Sequence, residues 1–174
     1  ALRSCAPELR IYGVWHGALA AWCSDGEREF AHKFLSLADR GVYDRIHFLK
    51  LGMHVLHPKA FAPLLPNLVP SHREIRLRPA MSDRPITCLW AAWNNPWKNM
   101  YGNVVGAAAC SEVAKVLTYA PASLDAPLGK KIRQVAYDSR SNHFALMSTS
   151  DLILNATVVD CHPMIELEGL AVGT

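Results

Sequence analysis

The chain has 174 residues and a formal charge of +3; 51% of the residues are hydrophobic and 19% are charged. That length and balance suit one globular domain with ample core and exclude a disordered chain. The small charge excludes nucleic acid as a partner, since the densest basic run, Gly129-Lys130-Lys131-Ile132-Arg133, reads as a solvated face.

Cys5, Cys23, Cys88, Cys110 and Cys161 are odd in number, widely spaced and without a CxxC pair. A disulfide scaffold is not expected, and an intracellular, reducing compartment, cytoplasmic or mitochondrial, fits. Cys88 and Cys110 lie in apolar patterns and read as small core residues. No apolar run is long enough to span a bilayer. The chain opens on Ala1 rather than methionine, which reads as processing or trimming, a removed targeting peptide included.

In chain order, LRIYGVW reads as a strand and HGALAAWCS as a helix after it. Glu27 to Arg40 is a helix by the spacing of Phe30, Phe34, Leu35, Leu37 and Ala38, with Gly41 as its stop. Tyr43 to His57 reads as another helix, broken at Pro58. PKAFAPLLPNLVP holds four prolines, so it supplies only short turns and irregular chain. REIRLRP alternates like a half-exposed strand, and ITCLWAAW is a more buried one. Asn94-Asn95-Pro96 ends it, because proline cannot continue a ladder and holds Asn95 extended. A helix from Met100 to about Tyr119 follows. KKIRQVAYDS and HFALMSTS read as strands joined at Arg140-Ser141-Asn142, and DLILNATVVD and MIELEGLAV complete the set. Residues 1–70 form a helical, proline-rich extension. Residues 71–174 form an α+β domain with an antiparallel sheet packed on a central helix.

The helix from Met100 is rich in small residues: Gly102, Gly106 and Ala107-Ala108-Ala109. Its N-terminal N–H groups lie beside the Asn-Pro turn, where they suit a ligand carbonyl or anion. The segment Asn94-Asn95-Pro96-Trp97-Lys98-Asn99-Met100-Tyr101-Gly102, with Ala107-Ala108-Ala109-Cys110-Ser111-Glu112 after it, resembles the turn-plus-helix signature of hot-dog thioesterase-like proteins. It is most similar to a poorly characterised branch in which an N-P-aromatic turn leads into a helix carrying AAxE. The resemblance implies a hot-dog sheet wrapped around the helix, usually paired in a homodimer, that binds an acyl thioester on coenzyme A or an acyl carrier. Active acyl-CoA thioesterases of this fold carry HGG at the helix start, whereas Gly102-Asn103-Val104-Val105-Gly106 has no histidine.

Thioester hydrolysis needs a polarised carbonyl and an activated water. The resemblance places the oxyanion and substrate site at Tyr101, Gly102, Asn103 and Gly106. Asn95 would orient the water, and Glu112, the helix's one acid, would be a base whose pKa is raised by partial burial. The bland alternatives are a surface pair with Lys115 for Glu112, a strand-end cap for Asn95 and close packing for Gly102 and Gly106. No cofactor is called for. His47, His54 and His57 would share a helix face but lack a completing acid or thiol, so they read as structural. A Cys110–His143 nucleophile pair has no local support. Arg140, Ser148-Thr149-Ser150 and Glu166-Leu167-Glu168 resemble, in order, elements of ADP-ribosylating toxins, but crowded into about thirty residues they read as coincidence. The expected function is acyl-thioester binding with hydrolysis as the enzymatic expectation. The alternative is a non-catalytic subunit of a larger, mitochondrial assembly, docked through Trp15, Trp22 and the segment Phe61 to Leu68.

Overall fold

The computed structural model describes residues 2–50, 52–61, 84–93, 96–122, 125–160 and 163–174, which fall into two compact units. The first comprises residues 1–67 and 159–162, the second residues 68–158 and 163–174. The expected strand REIRLRP lies outside the described residues.

In the first unit a short helix α1 (Leu2–Cys5) precedes strand β1 (Tyr12–Trp15), helix α2 (Asp25–Asp39) and strand β2 (Arg45–Phe48). Asp25 and Glu27 in its first turn complement the N-terminal end of the α2 dipole. At the other end Gly41 takes a left-handed φ of 73°, its N–H bonds to Ala38 and that of Val42 to Leu37, which closes the helix as a Schellman motif. With α2 as the crossover, β1 and β2 pair in parallel, Tyr12 opposite Arg45 through Trp15 opposite Phe48. The region 43–57 is therefore a strand followed by a 3-10 turn (Met53–Leu56), not a helix. Trp15, Ala31, Ala38, Ile46 and Phe48 form the core. Gly13 permits it: a Cβ there would sit 2.8 Å from the Phe34 ring. Of the residues expected at a docking surface, Trp15 is buried and meets half-buried Trp22 edge-on at 6.1 Å, and of Phe61 to Leu68 only the exposed Phe61 is described.

The second unit contains β3 (Ile86–Trp90), α3 (Met100–Ala109), β4 (Val113–Thr118), β5 (Ile132–Gln134), α4 (Arg140–Thr149), β6 (Leu152–Ile153) and α5 (Met164–Val172). Its sheet runs β5-β4-β3-β6 with every pair parallel. This overturns the antiparallel hot-dog sheet. Helix α3 separates β3 from β4 and α4 separates β5 from β6, and a helical crossover returns the chain in the same direction, whereas antiparallel neighbours need only a tight turn.

Three segments account for the difference. The helix expected to reach Tyr119 stops at Ala109, and Val113, Val116 and Thr118 then favour the extended backbone of β4. HFALMSTS is the body of α4: Ser139 caps it by accepting the Asn142 N–H at 3.1 Å, and the Ser148, Thr149 and Ser150 hydroxyls donate to carbonyls of the preceding turn. MIELEGLAV is α5, opened by Pro163 and closed by Gly173 at φ 81°. Among the described residues no helix is long and apolar enough to cross a membrane.

Side chains alternate along the sheet as strand geometry requires. Cys88, Trp90 and Val116 face α3 and pack on Met100, Val104 and Ala108. Leu89 faces the other way, onto Phe144 and Met147 of α4 and Val172 of α5. At the amino edge the buried Asp151 carboxylate accepts the Thr87 N–H at 2.7 Å and Arg84 at 3.0 Å, joining the start of β6 to β3.

Burial, and then the Asp151 charge, push the Cys88 thiol from its ordinary 9.0 up to about 11. Alkylation of the native protein at pH 8 is expected to modify exposed Cys5, Cys23 and Cys110 and to spare Cys88, read by peptide mass spectrometry. A folded-state pKa raised above the unfolded value means the unfolded thiol ionises first, so this group's contribution to stability is lost as pH rises from about 9 to about 11. Prompt native labelling of Cys88 would contradict the packing of β3.

Candidate functional site

The residues expected to act together lie apart. Tyr101, Gly102 and Asn103 occupy the first turn of α3, beyond the carboxyl end of β3, whereas Glu112 follows the far end of the same helix, about 15 Å along its axis at 1.5 Å per residue. Glu112 is fully exposed; hydrogen bonds from its own backbone N–H and from the Ser111 hydroxyl at 2.8 Å hold its carboxyl below the usual range, the opposite of a desolvated base. Tyr101 is exposed, and Gly106 faces open space. Gly102 lies under the Asn99 side-chain amide, which a Cβ would meet at 2.5 Å. Asn95 lies outside the described residues.

Asn103 is buried and fully bonded within the protein. Its Nδ2 donates to the Asn99 and Ala156 carbonyls at 2.9 and 3.1 Å, and its Oδ1 accepts the Ala156 N–H at 2.8 Å. It latches the chain leaving β6 to the start of α3. Cys110 and His143 belong to opposite edges of the sheet, the first preceding β4 and the second following β5. His57 bonds Asp39 at 2.9 Å, and among the described residues no three His, Cys, Asp or Glu gather as metal ligands.

The sheet itself indicates a different site. From β3 the chain winds outward through β4 to β5 and then returns to place β6 on the other side of β3. Loops leaving the carboxyl ends of β3 and β6 therefore diverge to opposite faces and open a crevice, the place where doubly wound sheets bind ligands. A cleft of about 330 Å3 lies at this edge, lined among others by Trp93 beyond β3, Tyr119 beyond β4, Tyr137 beyond β5, His143 in the first turn of α4, and Met164 and Glu168 of α5. A second hollow of about 380 Å3 shares Trp93, Tyr119 and Tyr137.

One wall is aromatic. Tyr137 meets Tyr119 edge-on with centroids 5.4 Å apart and Trp93 at 6.1 Å, while Trp93 and Tyr137 remain 72% and 47% exposed. Exposed rings of this size, held by other rings, offer flat faces to a flat ligand. The opposite wall is polar. The Tyr119 hydroxyl lies 2.7 Å from Nδ1 of His143, and Nε2 of His143 lies 3.1 Å from Oε2 of Glu168. Burial, then the neighbouring Tyr137, Glu168 and Asp138, raise the Tyr119 pKa, so its phenol keeps its proton. Arg140 lines the cleft from the start of α4, its guanidinium 5.5 Å over the Phe144 ring.

Apart from Arg140, which the sequence places in a turn, each of these residues reads from sequence as part of a helix or a strand. What they share is position, directly after a strand or in the first turns of the following helix, a signal that becomes visible once the strands are known to be parallel. No protein-family model matches the chain, and no curated protein is significantly similar to it.

Proposed function

We propose that the second unit binds a nucleotide, or the nucleotide part of an activated donor, in the cleft at the carboxyl edge of its sheet. The observation that carries this reading is Glu168: a carboxylate only 15% exposed, anchored by His143, lining a cleft at the carboxyl edge of a parallel sheet beside an aromatic wall. Each part of a nucleotide finds complementary chemistry there. Trp93 and Tyr137 offer faces for a base, Glu168 accepts ribose hydroxyls, and Arg140 with the first turns of α4 and α5 suits phosphate. The connection after β3, Ala91-Ala92-Trp93-Asn94-Asn95-Pro96, carries no G-x-G-x-x-G, which favours a mononucleotide or nucleoside diphosphate ester over a redox dinucleotide. A diphosphate held by a cation and helix N–H groups is a stabilised leaving group, so the reaction class that follows is transfer of the esterified group, a sugar for example, to an acceptor.

Calorimetric titration with nucleoside mono- and diphosphates, their sugar esters and acyl-CoAs tests the reading. A nucleoside diphosphate is expected to bind, and Glu168→Ala to weaken it about 10- to 100-fold, the range for hydrogen bonds to a charged group. The acyl-thioester reading of residues 93–119 expects the reverse: acyl-CoA hydrolysis that depends on Glu112 and ignores Glu168. That result, or a full panel of nucleotides that do not bind, would overturn the nucleotide reading.

A further inference from the structure

We infer that Tyr119 and His143 are positioning residues that aim Glu168 at a vicinal diol, so that the site selects ribonucleotides over their 2′,3′-dideoxy counterparts. This rests on the nucleotide reading of the cleft and adds to it the two groups that give the carboxylate its orientation.

The inference follows from donors and acceptors. Glu168 Oε2 lies 3.1 Å from Nε2 of His143, and a carboxylate only accepts, so Nε2 must carry the proton. In a neutral ring Nδ1 is then an acceptor, and the Tyr119 hydroxyl stands 2.7 Å from it to donate. A proton held on the phenol by burial makes that donation available. The three groups come from the loop after β4, the first turn of α4 and the second turn of α5, so the series joins three separate elements. His143 is buried and packs against the Tyr119, Tyr137 and Phe144 rings at 5.5–5.8 Å, which fixes its plane.

The consequence falls on the other oxygen. With Oε2 bound to His143, Oε1 of Glu168 has no hydrogen-bond partner among the described residues, and the residue lines the cleft. A carboxylate oxygen with two free lone-pair directions accepts two neighbouring hydroxyls at once. Anchoring it beforehand removes the rotamer freedom that binding would otherwise have to freeze. Without the Tyr119 hydroxyl, Nδ1 loses its donor and the imidazole loses one of the two hydrogen bonds that hold it, so Nε2 no longer keeps Oε2 in register.

The test is the ratio of dissociation constants for a 2′,3′-dideoxynucleoside diphosphate and the matching ribonucleotide, measured by calorimetry on the whole chain. The wild type is expected to favour the ribonucleotide about 10- to 100-fold. Tyr119→Phe, which keeps the ring and its stacking on Tyr137, and His143→Leu are each expected to bring the ratio close to one, chiefly by weakening the ribonucleotide. His143→Gln, whose amide N–H donates from near the position of Nε2, is expected to retain most of the preference. Circular dichroism checks that each variant is folded, and if His143→Leu is not, Tyr119→Phe decides. Wild-type binding with a preference that survives Tyr119→Phe would overturn the positioning role alone. No nucleotide binding by the wild type would overturn the reading beneath it as well.

Discussion

Phe144→Ala is expected to destabilise the second unit by about 4 kcal/mol, within the range for deleting a buried aromatic ring from a packed core. Phe144 is fully buried between Leu89 of the sheet and Met147 and Val172 of the covering helices. It carries the Arg140 guanidinium on one face and touches the His143 ring with centroids 5.5 Å apart. The ring therefore supports both the layer of α4 and α5 and the two cleft residues that α4 supplies. Its loss removes apolar burial and leaves a void that flanking helices cannot close without moving. Urea unfolding should show the midpoint falling with little change in slope. Nucleotide affinity should fall in the same variant, even at temperatures where it stays folded, because Arg140 and His143 lose their backing. A loss below about 1 kcal/mol would mean that α4 does not pack on the sheet as described.

Asp151→Ala is expected to cost about 3 kcal/mol by another mechanism. The carboxylate is 6% exposed and accepts from the Thr87 backbone at 2.7 Å, while the backbone N–H of Asp151 itself donates to the Thr87 carbonyl at 2.7 Å. Removing it strands a half-buried N–H at the start of β3 and releases Arg84. Arg84 is 42% exposed and is resolvated by water, so the stranded amide dominates the loss. Asp151→Asn keeps an oxygen acceptor for Thr87 and should recover about half of the stability. Thermal unfolding of the three proteins compares them directly. Equal midpoints for Ala and Asp would show that β6 is held to β3 by its ladder alone.

The parts legible in the sequence are those whose signals are local. Helix α2 shows its apolar spacing and the glycine that stops it, and ITCLW is apolar, β-branched and preceded directly by Pro85. Helix α3 is marked by small residues, but its end is not, because Val113 to Thr118 continues an apolar pattern that fits helix and buried strand equally. The largest misreading came from α4 and α5. Each is short and reads from sequence as a strand, although Ser139 before one and Pro163 and Gly173 around the other mark helix ends. Assigning those two segments as helices makes the sheet parallel and abolishes the hot-dog layout. The cleft followed the same fate. Glu168 reaches His143 only through the packing of α5 on α4, and Tyr119 reaches it from the end of a strand 24 residues earlier. No spacing rule links such residues, since the fold and not a motif brings them together.

The lengths of the strands have a consequence for how copies of this chain behave in a crowded solution. Among the described residues the second sheet keeps its longest strands, β3 and β4, inside, and places three-residue β5 and two-residue β6 at its rims. A rim that short presents few free N–H and C=O groups, so an incoming extended segment finds almost no ladder to prolong. The arrangement guards against edge-to-edge aggregation while leaving the apolar interior strands, the ones most prone to it, covered on both flanks.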